Sequence, residues 1–359
     1  MAREGIRHKL GSILNEAKES VKELADELNG SDDLMIMPYR GYGRPDRIFL
    51  MGRVLEDEGI GHIDPEGRRT TLLDNVRRFG TDEVPGAKLK ITFGKNVFET
   101  YTDQEGYYRL EEDLSLPVDP TGERWLYAEV ELLEAPNYPS QQVVVRQPIY
   151  YPNPDAAIGV ISDVDDTVLE TAVNSRLKLK TMYLTFFRSA GKRVAIKGVP
   201  QLYRDLVVGT DGKQDNPVFY VSAGPWNIFD MLKEFMELQQ LPKGPIMLQD
   251  FGIPTAQQRE GWSKHKQSTI SSILDMYPHL NFIMLGDTSG HDADNYTALA
   301  AAYPGRIEAV YIHATRHERK DARVAAIVEA ATDIDMRLVN STAEIREHAR
   351  SRGWLADQA

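Results

Sequence analysis

Three carboxylates follow closely after an apolar segment of this chain. The run Ile158–Ile161 has the β-branched composition of a buried strand, and Asp163, Asp165 and Asp166 follow it closely. Crowded carboxylates repel one another, and removing them from water is costly. A divalent cation would relieve both penalties, and Asp163 and Asp165 alternate along an extended chain as two arms of one site. Because ligands of open α/β sheets bind outside the carboxyl ends of the strands, this pattern predicts an enzyme that uses Mg²⁺.

Polar side chains also follow two later apolar segments. Residues 217–221 read as a strand that ends at Ser222, and residues 282–285 read as a strand followed by Asp287 and Asp292. Since the carboxyl ends of parallel strands share one edge of a sheet, we expect these side chains to converge with the first acidic cluster.

A helix that begins near residue 263 supplies a lysine. Lys266 starts a stripe that continues at Ile270 and Ile273, four and seven residues further on, so we expect its side chain to face the sheet. Lys264 projects from the opposite side of that helix. Lys266 is therefore the predicted member of the site.

Together these motifs resemble a known superfamily. Asp-x-Asp-x-Thr, a strand-end serine, a lysine and Gly-Asp-x-x-x-x-Asp, in this order, resemble the haloacid dehalogenase (HAD) phosphotransferases. Residues 216–227, His265-Lys266-x-x-x-Ile270 and residues 286–292 are similar to the catalytic domain of actin-patch-type phosphatidate phosphatases, relatives of the lipins. The segment 39–43, Tyr-Arg-Gly-Tyr-Gly, also resembles bacterial members. The similarity spans about residues 35–355.

The resemblance implies a reaction through an aspartyl-phosphate. Asp163 matches the nucleophile, and Asp165 matches the acid/base that protonates the leaving oxygen and then activates water. Asp163, Asp287 and Asp292 would bind Mg²⁺ through carboxylates, Asp292 directly or through water. Asp165 would add its backbone carbonyl.

The phosphate-binding residues implied by the resemblance are Ser222, Lys266 and Thr167. Lys266 would neutralise charge on the phosphate and the nucleophile, and Thr167 would order the strand-end turn and contact phosphate. Structural alternatives stay open at this point. Ser222 could cap a turn, and Asp292 could cap the following helix.

The spacing of apolar residues changes along the chain and indicates three regions, the last of which positions these residues. Residues 1–33 predict an amphipathic helix, residues 34–151 predict an all-β sandwich domain from short runs separated by turns, and residues 152–359 alternate between strands and helices. The last pattern predicts a parallel sheet with helices on both faces. The resemblance implies an HAD-like Rossmannoid fold there, with a small cap insert near residues 168–215. Its strand candidates are 158–161, 218–221, 282–285, 309–312 and 336–339.

Composition limits the functional classes. The net charge of −12 argues against a general nucleic-acid binder, and the absence of cysteine excludes disulfides, zinc–thiolate sites and thiol catalysis. No apolar run is long enough to span a bilayer, and the first residues lack the pattern of a signal peptide. We therefore expect a cytoplasmic protein, and the sequence indicates no oligomeric state.

A basic, aromatic segment bears on the substrate. Residues 176–197 contain no acidic side chain but several lysines, arginines and aromatic residues. This composition suits binding of a lipid phosphomonoester or peripheral contact with an anionic membrane. It suits equally well an amphipathic helix that packs on the core. The leading hypothesis is a Mg²⁺-dependent phosphatase acting on phosphatidate or a similar lipid phosphomonoester. The alternatives are a phosphatase for a soluble phosphomonoester (nucleotide, sugar phosphate or polynucleotide end) and a non-catalytic phosphatidate-binding module.

Overall fold

A computed structural model describes residues 33–57, 83–164, 198–210, 212, 215–249 and 258–356. The helix predicted for residues 1–33 lies outside these ranges except for its last residue. Most of the predicted cap insert, including the basic segment 176–197, lies outside them as well.

Short strands dominate the first half of the described chain, and helices alternate with strands in the second half. The strands are β1 (Leu34–Pro38), β2 (Gly41–Arg44), β3 (Arg47–Glu56), β4 (Lys88–Phe93), β5 (Asn96–Tyr101), β6 (Tyr107–Asp113), β7 (Trp125–Glu134), β8 (Val144–Tyr150), β9 (Gly159–Asp163), β10 (Val218–Pro225), β11 (Ile246–Gln249), β12 (Phe282–Asp287), β13 (Ile307–His313) and β14 (Met336–Val339). The helices are α1 (Val199–Val208), α2 (Phe229–Leu238), α3 (Gln258–Met276), α4 (Asp292–Ala302), α5 (Glu318–Ala330) and α6 (Thr342–Ser351).

The first sheet is mainly antiparallel and contains β1 to β8, in the order β1-β3-β2-β8-β7-β4-β5 with β6 paired to β3. Burial alternates along β4, where Leu89, Ile91 and Phe93 are buried and the alternating residues Lys88, Lys90 and Thr92 are half-buried. This period of two is typical of a strand with one face in the core. All described elements before residue 151 are strands, as predicted, while their arrangement as a sandwich stays a prediction.

The second sheet is parallel, with the order β11-β10-β9-β12-β13-β14. Every residue of β9, β11 and β12 is buried, as expected for strands covered on both faces. The five strands predicted from the sequence are all present. β11 was not predicted, because its three apolar residues between proline- and glycine-containing segments show no distinguishing period.

Two compact units make up the chain. One contains the residues up to Tyr39 with Leu50–Leu110 and Tyr127–Gln147. The other contains Arg40–Phe49, Glu111–Leu126 and Pro148–Ala359, and so includes the whole parallel sheet. The predicted domain limits at residues 33 and 151 stay a prediction.

The segment Arg40–Phe49 belongs to the unit with the parallel sheet through specific contacts. The buried ring of Tyr42 lies 5.7 Å from the ring of Phe219 in β10, between ring centroids. Arg40 Nη1 donates a hydrogen bond to the carbonyl of Gly244, just before β11, at 3.1 Å. The Tyr-Arg-Gly-Tyr-Gly motif of the sequence therefore supports the parallel sheet.

Asn216 ties together the starts of two central strands. Its Oδ1 accepts hydrogen bonds from the backbone amides of Ala157 (2.9 Å) and Ile158 (3.3 Å), which precede β9. Its Nδ2 donates to the carbonyl of Leu206 in α1 at 2.8 Å. The side chain is 1% exposed, so these backbone groups depend on the amide rather than on water.

We expect Asn216→Ala to lower the free energy of unfolding by about 1–3 kcal/mol, because it leaves buried backbone groups without a partner. Denaturant titration followed by circular dichroism measures this change. Asn340→Ala, the same substitution at an exposed position, is the control and should leave the midpoint unchanged. Equal stability of both variants would show that the Asn216 contacts contribute nothing.

Candidate active site

Strand register brings three of the predicted residues to one edge of the parallel sheet. Asp163 in β9 is paired with Val221 in β10, so Ser222 stands one residue further along the same edge. Ser162 is paired with Leu285 in β12, so Asp287 stands just beyond the level of Asp163. The carboxyl edge of the sheet therefore carries these polar side chains, where α/β proteins bind their ligands.

A cluster of three carboxylates lies at this edge. Asp163, Asp287 and Asp292 each offer an oxygen within 4.8 Å of the others, and all three side chains are buried. Such close, buried carboxylates disfavour one another's charge unless cations balance it. Oxygen donors of this kind are the ligands that Mg²⁺ prefers, so the donor set fits this ion.

Lys266 partly balances the cluster. Its Nζ donates to Asp163 Oδ1 at 2.8 Å and also to Asp292 Oδ1. Burial would lower the pKa of Lys266, but the carboxylates of Asp163 and Asp292 outweigh burial and hold that pKa well above its ordinary value. Three carboxylates and one ammonium leave two formal negative charges, which a divalent cation would balance.

The stripe on α3 is oriented as expected. Ile270 and Ile273 are fully buried on the same helix as Lys266, and that helix places the ammonium against the carboxylates. The side chain of Lys264 lies outside the described residues.

Gly286 makes room for Asp292. A Cβ at Gly286 would lie 2.5 Å from Asp292 Oδ2 and 2.7 Å from Asp292 Cβ, closer than real Cβ atoms approach other atoms. Asp292 uses this space to accept a hydrogen bond from the amide of Asp287 at 3.2 Å. The glycine of the Gly-Asp motif therefore allows the two carboxylates to come together.

We expect Gly286→Ala to displace Asp292 and weaken Mg²⁺ binding by about tenfold or more, as disturbance of groups that orient metal ligands commonly does. Titration calorimetry with Mg²⁺ measures the affinity. Gly290→Ala is the matched control, because its added Cβ would meet nothing within 4 Å. Unchanged affinity in Gly286→Ala would mean that Asp292 does not bind the metal.

A hydrogen-bonded pair beneath Asp163 was not predicted from the sequence. Ser162 Oγ donates to the carbonyl of Asp163 at 2.7 Å and lies 2.6 Å from the hydroxyl of Tyr203. Because the single serine proton is used on Asp163, the Tyr203 hydroxyl donates to Ser162. Burial raises the pKa of Tyr203, which keeps this donor protonated. Tyr203 is remote in sequence, so no local pattern could have identified it.

The remaining predicted residues differ in what the structure shows. Ser222 is buried and its Oγ accepts a hydrogen bond from the amide of Gly224 at 2.9 Å, the contact expected of a turn cap. A hydroxyl that accepts this bond can still donate to a phosphoryl oxygen. Asp165, Asp166 and Thr167 lie outside the described residues.

The part of the chain that contains this site is similar to a known protein family. Residues 158–314 match the protein family described as phosphatidate phosphatase APP1, catalytic domain. The matched residues include Asp163, Ser222, Lys266, Asp287 and Asp292. This match confirms the predicted resemblance to the actin-patch-type catalytic domain, while the likeness to bacterial members stays a prediction.

Individual relatives are similar over part of their length. The chain is 32% identical over 165 residues to phosphatidate phosphatase APP1 of Saccharomyces cerevisiae, which covers 46% of this chain and 27% of the yeast protein. It is 25% identical over 223 residues to an uncharacterized protein of Schizosaccharomyces pombe, with 60% and 34% covered. The chain thus spans about a third or less of each of these relatives.

A solved structure adds no further information. A carbohydrate acetylesterase from Xanthomonas citri is 9% identical and aligns with a TM-score of 0.27 over 83% of this chain and 66% of that chain. A likeness this weak supports no inference about fold or function.

Proposed function

We propose that this chain, whose residues 158–314 belong to the APP1 catalytic-domain family, is a Mg²⁺-dependent phosphatase that acts on phosphatidate or a similar lipid phosphomonoester. The observation that carries the proposal is the buried cluster of Asp163, Asp287 and Asp292, with Lys266 bound to two of its members. An HAD-like fold of the parallel sheet is part of the proposal. Its support is the order of the motifs along the strand ends.

In the proposed reaction Asp163 is the nucleophile. One of its carboxylate oxygens forms a bond to phosphorus while the bond from phosphorus to the lipid oxygen breaks, which produces an aspartyl-phosphate. Asp165 donates its proton to the departing oxygen. It then takes a proton from the water that attacks phosphorus, and phosphate leaves as Asp163 is regenerated.

Two side chains stabilise the charge of the phosphoryl group. The ammonium of Lys266, already 2.8 Å from Asp163, would lie beside the bond that forms, and its raised pKa keeps it positive. The hydroxyl of Ser222, at the same edge of the sheet, would donate to a phosphoryl oxygen. Prepositioned donors in a buried site stabilise developing charge better than water does, because they need no reorganisation.

The proposed metal site consists of the carboxylates of Asp163, Asp287 and Asp292. When bound, Mg²⁺ would neutralise the negative charge that the phosphate brings to a site already rich in carboxylates. The family implies in addition the backbone carbonyl of Asp165.

The lipid part of the proposal is supported by the similarity to the yeast phosphatidate phosphatase and by the composition of residues 176–197. That segment lies outside the described residues, so the proposed peripheral membrane contact rests on the sequence alone. The proposed cytoplasmic location also rests on the sequence alone. In the part of the chain that the structure describes, no helix is long and apolar enough to cross a membrane.

Substrate choice is tested by measuring phosphate release from phosphatidate in mixed micelles and from p-nitrophenyl phosphate, with Mg²⁺ present. We expect a higher kcat/KM on phosphatidate. Release from the soluble ester alone would favour the alternative of a soluble phosphomonoester. Binding of phosphatidate vesicles with no release from either substrate would favour a binding module.

A further inference from the structure

Helix α5 holds the loop that joins the two acidic residues of the last motif. We call residues 287–292 the acidic loop. Three consecutive residues within it are each bound by a side chain from the first two turns of α5. These hydrogen bonds run from Thr288 Oγ1 to Asp321 Oδ1, from Lys320 Nζ to Ser289 O (2.8 Å) and from Arg323 Nη2 to Gly290 O (3.0 Å).

Asp321 also fastens the loop to the end of β13. The amide of Thr315 donates to Asp321 Oδ1 at 3.3 Å and to Thr288 Oγ1 at 3.0 Å, so one carboxylate serves two chain segments. Arg323 links the loop to α4 as well, because its Nη1 donates a hydrogen bond to Asp294 Oδ2 in α4 at 2.8 Å. The acidic loop is therefore held along its length.

Helix α5 buries few of its side chains. Val324 is the one buried residue of its thirteen, and Lys320, Asp321, Ile327 and Val328 are half-buried. The pair Arg323–Asp294 joins side chains that are 40% and 46% exposed, so solvent screens their attraction and the pair adds little to stability.

We infer that α5 positions the metal ligands: Asp321 and Arg323 are positioning residues that hold the acidic loop so that Asp287 and Asp292 reach the same ion. The inference rests on the proposed function, since it assumes that these carboxylates bind Mg²⁺. Groups that orient metal ligands set the metal affinity, because a ligand that must be ordered on binding pays for that order. Neither residue needs to touch the ion or the substrate.

The first test is titration calorimetry with Mg²⁺ on Asp321→Ala and Asp321→Asn. We expect the alanine variant to bind Mg²⁺ about tenfold more weakly, because Thr288 and Thr315 lose their shared acceptor. The asparagine variant keeps an acceptor oxygen and should retain most of the affinity. In phosphatase assays, saturating Mg²⁺ should restore the kcat of Asp321→Ala while the Mg²⁺ concentration needed rises.

The second test compares two arginines of the same helix. Arg323→Ala and Arg319→Ala each remove one positive charge from an exposed position of α5, but of these two arginines only Arg323 has a described contact with the acidic loop. We expect weaker Mg²⁺ binding, by several-fold, in Arg323→Ala and wild-type affinity in Arg319→Ala. The comparison of these two arginine variants tests the positioning role even if Asp321→Ala fails to fold.

The outcomes of these tests distinguish failure of the inference from failure of the proposed function. A wild-type chain that binds Mg²⁺, with Asp321→Ala and Arg323→Ala binding it equally well, would overturn the positioning role and leave the proposed function standing. A wild-type chain that binds no Mg²⁺ would overturn both. Equal weakening in Arg323→Ala and Arg319→Ala would show a general charge effect and would also overturn the positioning role.

Discussion

Replacement of Asp163 by asparagine should abolish phosphate release while the chain stays folded. The amide cannot attack phosphorus as the carboxylate does, so we expect kcat to fall by at least about 10³-fold, the scale seen when a nucleophile is removed. The fold should tolerate the change, because asparagine has the same shape and removes one charge from three crowded carboxylates. Steady-state assays with p-nitrophenyl phosphate, and thermal unfolding without metal, measure the two effects.

The control for this variant is Asp155→Asn, the same exchange at an exposed position of the same unit. It should leave both kcat and the unfolding temperature unchanged. Retained turnover in Asp163→Asn would show that another residue is the nucleophile. Loss of folding in Asp163→Asn would mean that its pairing with Lys266 outweighs the repulsion among the carboxylates.

Replacement of Lys266 by methionine should damage both stability and activity. The buried carboxylates of Asp163 and Asp292 would lose the ammonium that binds them, and uncompensated buried charge costs about 3–5 kcal/mol of folding free energy. Activity should fall by about 10²–10³-fold, since charge on the phosphoryl group loses a fixed donor. Added Mg²⁺ should stabilise the variant more than the wild type, because the ion supplies the missing positive charge.

Denaturant titration with and without Mg²⁺ measures these stabilities. Lys95→Met, the same exchange in the exposed turn between β4 and β5, should behave as the wild type. If Lys266→Met were as stable as the wild type without metal, the carboxylates would have to be protonated rather than paired. The proposed charge balance of the site would then be wrong.

Sequence patterns gave the strands of the site because apolar segments there end abruptly in polar residues. The predicted runs 158–161 and 282–285 are both found, and in the structure each strand extends to include the aspartate that follows. Helical periodicity predicts Lys266 as the lysine of the site, and the structure places its ammonium between Asp163 and Asp292. Patterns of this kind are local, so a sequence records them directly.

Local sequence patterns could not predict the long-range contacts of the site. Tyr203, Asn216 and Asp321 contact the strands and loop of the site from distant positions, through hydrogen bonds that only the folded topology brings about. The strands β1 and β2 were also missed, because β1 is short and β2 alternates glycine with larger residues. Gly286 belongs to the Gly-Asp motif, but the reason for a glycine there, the space for Asp292, required the structure.

In the proposed reaction, the cluster of Asp163, Asp287 and Asp292 with Lys266 carries out metal-dependent phosphoryl transfer. The most direct test measures phosphate released from phosphatidate in mixed micelles by the wild-type chain, with Mg²⁺ and then with EDTA. We expect release that requires Mg²⁺ and returns when Mg²⁺ is restored after EDTA. Release that continues undiminished in EDTA would contradict the proposed reaction, because that reaction would then need no metal at the carboxylate cluster.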